Sequence, residues 1–125
     1  MDDDRLWRFE EQLWLGDAET YRSLIDGECV MVLPAAPHVF DAAAAIEAVA
    51  HTPRWAEVRF TERRVQRPEE GLIVIAYQAE ASRAKESGGE AYKAWCTTTI
   101  RRRGHEDWLV VQHSQLPPLH AGGAA

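Results

Sequence analysis

Residues 91–116 read AYKAWCTTTIRRRGHEDWLVVQHSQL, and this stretch decides the fold. From Ala91 to Arg102 the chain alternates with a period of two. Tyr92, Ala94, Cys96, Thr98 and Ile100 share one phase, and Trp95 falls on the other. Gly104-His105-Glu106-Asp107 is a polar turn, and Trp108 to Leu116 forms a second strand that Pro117-Pro118 stops. Two long strands joined by a short turn make an antiparallel hairpin.

Working backwards from the hairpin, the period of two continues. Leu72 to Ala81 and Glu57 to Gln66 read as two more strands, joined at Pro68-Glu69-Glu70-Gly71, and a polar loop from Ser82 to Gly89 leads into the hairpin. Before Trp55 the period is that of helices. Leu6, Phe9 and Leu13 fall at i, i+3 and i+7, with Trp7 and Trp14 on a flanking stripe and Glu10, Glu11 and Gln12 left for solvent. Asp17 is placed to cap a second helix that buries Ala18, Tyr21, Leu24 and Ile25 and ends in a turn at Asp26-Gly27. Cys29 to Leu33, apolar on both faces and stopped by Pro34, reads as a short buried strand. A loop from Pro34 to Phe40 follows, and Asp41 caps a helix from Ala42 to Ala50.

Helices first and hairpins afterwards is the α+β pattern, with the helices gathered on one sheet face. The core expected from the phasing is Leu6, Phe9, Leu13, Tyr21, Leu24 and Ile46 against the sheet. Leu72 to Ala76 is apolar on both phases and Trp95 sits on the outer one, so a homodimer through the outer sheet face is expected.

Composition limits the function. A chain of 125 residues fits one domain, taken as residues 1–119 with a flexible tail at residues 120–125. Cys29 and Cys96 are far apart and belong to no Cys-x-x-Cys pair, which predicts reduced core thiols and no disulfide scaffold. No apolar run approaches the roughly 18 residues of a membrane span, so a cytoplasmic protein with no membrane partner is expected. Residues 1–50 hold 11 acids against 3 bases, and residues 51–103 hold 7 against 11, within a net charge of −6. The arginine clusters alternate with glutamates and the whole molecule repels a polyanion, so no nucleic-acid partner is expected. No histidine pair has metal-ligand spacing, and there is no phosphate loop, nucleophile elbow or dinucleotide fingerprint. Neither a metal nor a cofactor is predicted.

The order of elements resembles the nuclear-transport-factor-2-like (NTF2-like) superfamily, in particular its SnoaL-like and ketosteroid-isomerase-like small bacterial members. The residues that carry the resemblance are Gly16-Asp17-Ala18 with Leu24-Ile25-Asp26-Gly27, the strand Ala94 to Arg101, and the ending Trp108 to Gln115. It implies a strongly bent antiparallel sheet wrapped round the N-terminal helices into a cone (a cystatin-like α+β barrel), with a mostly apolar pocket at one end and frequent dimers. The isomerase-like members place a carboxylate base just before a proline at the end of the first long strand. This chain has Leu33 before Pro34, which removes that base.

The remaining polar candidates for the cone are His113, Gln115, Tyr77, Tyr92 and Asp26. His113 and Gln115 share a phase with Leu109 and Val111, and Tyr77 shares one with Ile73 and Ile75. If those phases face inward, His113 needs a polar partner such as Tyr77, Tyr92 or Asp26. Two readings of His113 and the tyrosines stand side by side: general acid-base work in an apolar pocket, or hydrogen-bonded core. Asp26 is either a pocket group or a local turn former. The corresponding functions are a binding domain whose cone holds an apolar small molecule, or an isomerase-, dehydratase- or cyclase-type enzyme using His113 with Tyr77 or Tyr92.

Overall fold

Three aspartates start the three helices. In the computed structural model, which describes residues 1–118, Asp2 accepts from the Arg5 N–H at 2.8 Å to open α1 (Asp3–Leu15). Asp17 accepts from Thr20 at 2.9 Å for α2 (Ala18–Leu24), and Asp41 from Ala44 at 2.8 Å for α3 (Ala42–Ala50). Gly16 separates α1 from α2 because nothing larger fits. A Cβ there would lie 2.7 Å from both the Gln12 carbonyl oxygen and the Thr20 side chain. The flexible tail expected at residues 120–125, and the last residue of the 1–119 domain, lie outside the described residues.

Six strands follow the order β2-β1-β6-β5-β4-β3 in one open, curved sheet. They are β1 (Ile25–Val32), β2 (Val39–Asp41), β3 (Glu57–Glu69), β4 (Leu72–Ser82), β5 (Ala91–Arg102) and β6 (Trp108–Leu116). The expected α+β fold and the bounds of β5 and β6 are present. β3 runs on to Glu69, so its turn tightens to Glu70-Gly71, where Gly71 takes a positive φ of 80°.

The sheet is mixed rather than antiparallel, and it does not close into a barrel. β1 pairs parallel with β6 while the other neighbours are antiparallel; between the two the chain runs through β2, crosses by α3 to the far edge and returns through the antiparallel strands β3, β4 and β5. Two local expectations around β1 also change. Asp26-Gly27 does not end α2 as a turn; Ile25 already opens β1, and a register shift between Ile25 and Val30 absorbs the irregular residues. Cys29 and Met31 are buried but Val30 and Val32 are about half-exposed, so β1 has one covered face, not two. The segment read as a loop up to Phe40 contains the edge strand β2, with Met31 opposite Phe40.

The inner sheet face carries the core. β4 alternates without a break, with Ile73, Ile75, Tyr77, Ala79 and Ala81 buried, and α1, α2 and α3 pack on this side against β3, β6 and β1. Leu6, Leu13 and Tyr21 are buried as expected, whereas Phe9, Leu24 and Ile46 are only half-buried. The position read as solvent-facing, Glu10, is completely buried. Leu6-Glu10-Leu13 is the stripe that faces the sheet, one residue round from the expected one.

Candidate functional site

β6 delivers its polar pair through a bulge. Trp108 and Val110 point inward at its start, the opposite phase to the Leu109 and Val111 expected. The register then slips: Ile100 pairs with Val110 but Thr99 pairs with Gln112, so Val111 is the extra residue. After it the phase is reversed, and His113 and Gln115 face the helices. β5 has no such break, so Tyr92, Cys96 and Thr98 arrive on the same face, with Thr98 directly opposite His113.

These side chains form one hydrogen-bonded chain. Tyr92 donates to Gln115 Oε1 at 2.9 Å, and Gln115 Nε2 donates to His113 Nε2 at 3.1 Å. On the other side of the ring, Nδ1 is 2.8 Å from Thr98 Oγ1, which lies 2.5 Å from Glu10 Oε2. Tyr77 also donates to Glu10 Oε2, and Trp14 Nε1 donates to the Tyr77 oxygen at 3.0 Å. Tyr77 is fixed by its ring neighbours, Phe60 at 4.6 Å and Trp7 edge-on at 5.6 Å.

Thr98 has one hydroxyl proton and two partners, and that settles the direction of the chain. With Glu10 ionised, Thr98 donates to it, so Nδ1 of His113 carries the ring proton and Nε2 is the acceptor that Gln115 satisfies. The Nδ1 to Oε2 distance of 3.8 Å is therefore not an ion pair, because Thr98 stands between the two groups and burial holds the imidazole down to about 4, neutral near pH 7. Burial has the reverse effect on Glu10. It raises the carboxyl to about 7 against the smaller opposing pull of the Thr98 and Tyr77 hydrogen bonds, and its Oε1 is buried without a partner. Burial also keeps Tyr77 well above the usual phenol range and pushes Cys96 up to about 12.

A cavity of about 190 Å³ opens against this chain. His113 and Gln115 form its polar edge; Trp14, Tyr21, Phe40, Ala45 and Val49 supply apolar walls. Trp55 closes one side, stacked on Tyr92 at 5.4 Å and 12° with Arg83 3.9 Å above its ring. The two half-buried cations in the wall are committed to structure: Arg54 donates to the Gly16 and Leu13 carbonyls at 2.7 and 2.8 Å, at the end of α1, and Arg83 pairs with Glu90 and donates to the Pro53 carbonyl. A larger hollow of about 500 Å³ beside the ends of β3, β4 and β5 is open and charged, with Glu80 paired to Arg59 and Lys93. It holds none of the buried polar groups.

Of the candidates named from sequence, His113 and Gln115 line the cavity and Tyr92 holds Gln115 from behind. Tyr77 reaches His113 only through Glu10 and Thr98, so the direct partners of His113 are Thr98 and Gln115 rather than Tyr77, Tyr92 or Asp26. Asp26 lies elsewhere, where it accepts from the Glu28 N–H at 2.9 Å and pairs with Arg101 at 3.1 Å and Arg103 at 3.3 Å. The Glu28 N–H and then Arg101 hold its carboxyl below the usual range, as suits a local turn former. Leu33, in the place of the isomerase-like base, is an apolar wall residue. Sequence reading missed Glu10 and Thr98. The signal for Glu10 was available: it is four residues after Leu6 and three before Leu13. Among the described residues no group of three or more His, Cys, Asp or Glu is placed to hold a metal ion.

No protein-family model matches the sequence, and a search of curated proteins finds no match. Solved structures do match. An NTF2-like protein of unknown function in nutrient uptake from Rhodospirillum rubrum is 16% identical, with a TM-score of 0.77 over 94% of this chain and 100% of that one. An NTF2-like protein from Cytophaga hutchinsonii is 13% identical, with a TM-score of 0.75 over 94% of this chain and 100% of that one. The CamKII hub homology domain of Chlamydamonas reinhardtii is 13% identical, with a TM-score of 0.72 over 93% and 94%. At these identities the likeness concerns the fold.

Proposed function

From an NTF2-like α+β fold with a polar-edged apolar cavity, we propose that this chain is a small-molecule-binding domain of the SnoaL-like kind. The ligand is compact and largely apolar, and it meets Gln115 and His113 at one edge. The observation that carries this reading is the cavity itself: its walls are mostly apolar, its two arginines are already committed to backbone carbonyls and Glu90, and the remaining polar edge presents the two side chains whose other bonds are fixed by Tyr92 and Thr98. A volume of about 190 Å³ is below the usual range for drug-sized ligands of roughly 300 Å³ and more, which points to a single ring rather than a polycycle. The test is a ligand-detected NMR screen of single-ring fragments, repeated on His113→Gln. Binders that compete with one another and lose affinity in the variant support the proposal; a screen with no binder overturns it.

The same proposal includes self-association through the outer sheet face. Trp95, Leu116, Val30, Val32 and Val39 are large apolar side chains left exposed. Between Val32 and Trp95 the outer face is uncharged, with Ser114 bonded to Thr97 at 2.6 Å and Thr99 to Gln112 at 3.1 Å. An uncharged face with its polar groups already paired suits burial against a second copy. Both cysteines are free and buried, which suits a reducing compartment such as the cytoplasm.

The alternative, an enzyme using His113 for proton transfer, is favoured by one specific observation. A buried carboxyl, Glu10, stands behind the histidine although the base position before Pro34 is empty of one.

A further inference from the structure

We propose that Glu10, Thr98 and His113 form a proton relay: a weakly acidic O–H group on a compact apolar ligand gives its proton to His113 Nε2, and the proton comes to rest on Glu10. The inference depends on the cavity being the ligand site, and it assigns that site a proton-accepting chemistry.

The geometry supports each transfer. The ligand competes with the Gln115 amide for Nε2 at the cavity edge, and its O–H bond breaks as the Nε2–H bond forms. The Nδ1 proton passes to Thr98 Oγ1 across 2.8 Å, and the Thr98 proton passes to Glu10 Oε2 across 2.5 Å. One proton enters, His113 and Thr98 each gain one and give one up, and Glu10 keeps the one it receives. At the end the ligand oxygen carries the negative charge that Glu10 gave up, the carboxyl is neutral, and the imidazole is neutral in its other tautomer, with Thr98 now donating to Nδ1. No imidazolium is required, which matters because charging His113 in this setting is costly. Glu10 is suited to be the terminus because one of its oxygens has no partner, so gaining a proton relieves a buried charge.

Within ordinary pH the network has one group that changes charge. Facing Glu10 are Tyr77 from β4, Cys96 and Thr98 from β5, His113 from β6 and, further off, Tyr21 from α2. Burial holds Tyr77, Cys96 and Tyr21 protonated and His113 neutral. The only basic group recorded within 4.0 Å of Glu10 among the described residues is His113.

The relay therefore predicts that the tautomer of His113 follows the protonation of Glu10 even with no ligand, the Gln115 amide turning over so that its Oε1 accepts from Nε2–H and its Nε2 donates to the Tyr92 oxygen. The measurement is the ¹⁵N spectrum of the histidine rings of the full chain from pH 5.5 to 9, with His113→Gln identifying the resonances. The expected result is a neutral ring at both ends, Nδ1-protonated at high pH and Nε2-protonated at low pH, with a midpoint near 7. Glu10→Gln and Thr98→Val should each abolish the change, and Thr98→Ser should keep it. A wild-type ring whose tautomer is constant across the range, or one that still switches in Thr98→Val, overturns the relay. The wild-type titration decides the question even if a variant fails to fold. Fragment binding with a fixed tautomer removes the relay and leaves the binding site; a switching tautomer in a chain that binds no fragment removes the binding site alone.

Discussion

Thr98 and His113 sit opposite each other on β5 and β6, and the single hydroxyl proton of Thr98 sets which nitrogen of the imidazole carries hydrogen. That pairing links two buried groups whose titrations are displaced in opposite directions, Glu10 upward and His113 downward.

The first prediction concerns stability against pH. Glu10 is raised from 4.5 to about 7, so its contribution is complete below pH 4.5 and is lost as pH rises through 7. His113 is lowered from 6.5 to about 4, so its contribution is complete above pH 6.5 and is lost as pH falls through 4. Between pH 4.5 and 6.5 the two slopes oppose each other. Each shift corresponds to a few kcal/mol at most, on the order of 3 kcal/mol. Urea melts of wild type and His113→Gln should diverge with pH, the variant losing stability relative to wild type as pH rises from 4.5 to 6.5. Parallel curves for the two proteins would contradict the burial of a neutral His113.

The second prediction tests the phase of α1. Leu6→Ala removes a fully buried side chain and should cost about 2–5 kcal/mol, while Phe9→Ala removes a half-buried one and should cost less. Equal or reversed losses in denaturant melts would place Phe9, not Glu10, on the sheet side.

How far the sequence can be read follows from these same residues. β5 and β6 are legible because their alternation and the polar turn between them are local signals, and both strands start and stop where the pattern does. The extra residue at Val111 is not legible. A bulge is set by how two strands share twist, and a single-sequence period simply runs through it. Alternation alone puts His113 inward together with Leu109 and Val111; in the structure Trp108 and Val110 point inward instead, and the bulge at Val111 brings His113 back to the inner face. Glu10 escaped because a glutamate beside Glu11 and Gln12 normally faces water, and only the tertiary partners Thr98 and Tyr77 make its burial tolerable. The parallel β1–β6 pairing joins residues some eighty positions apart, and no local pattern encodes it.

The third prediction separates Asp26 from the cavity. Its carboxylate holds two arginines at the far end of β5, so Asp26→Asn should destabilise the chain by about 1.5–3 kcal/mol, the range for hydrogen bonds to charged groups. Because the Glu28 N–H and Arg101 hold its carboxyl below 3.8, this contribution is present above that pH and is lost as acid is added below it. Fragment affinity should be unchanged in Asp26→Asn. A variant of wild-type stability that loses fragment binding would return Asp26 to the site.

The fourth prediction concerns self-association. Trp95 is about half-exposed on the outer face, opposite Leu116 on β6 and Gln78 on β4. Sedimentation equilibrium at micromolar concentration should give a dimer for wild type and a monomer for Trp95→Glu, because a carboxylate buried in an apolar interface has no partner. A monomeric wild type would remove the dimer.

The fifth prediction uses the size of the cavity. An apolar cavity of about 150 Å³ can hold a benzene ring, so about 190 Å³ admits one ring with a small polar group. Ala45 is buried on α3 and forms part of the apolar wall. Ala45→Leu adds methyl groups into existing space rather than into packed core, so the usual overpacking cost of about 1–3 kcal/mol should be largely absent. The variant should melt close to wild type and bind single-ring fragments at least tenfold more weakly, while the His113 tautomer switch persists because no member of the relay is touched. If Ala45→Leu binds the fragments as wild type does, the ligand lies outside this cavity and the binding proposal fails, whatever the tautomer measurement shows.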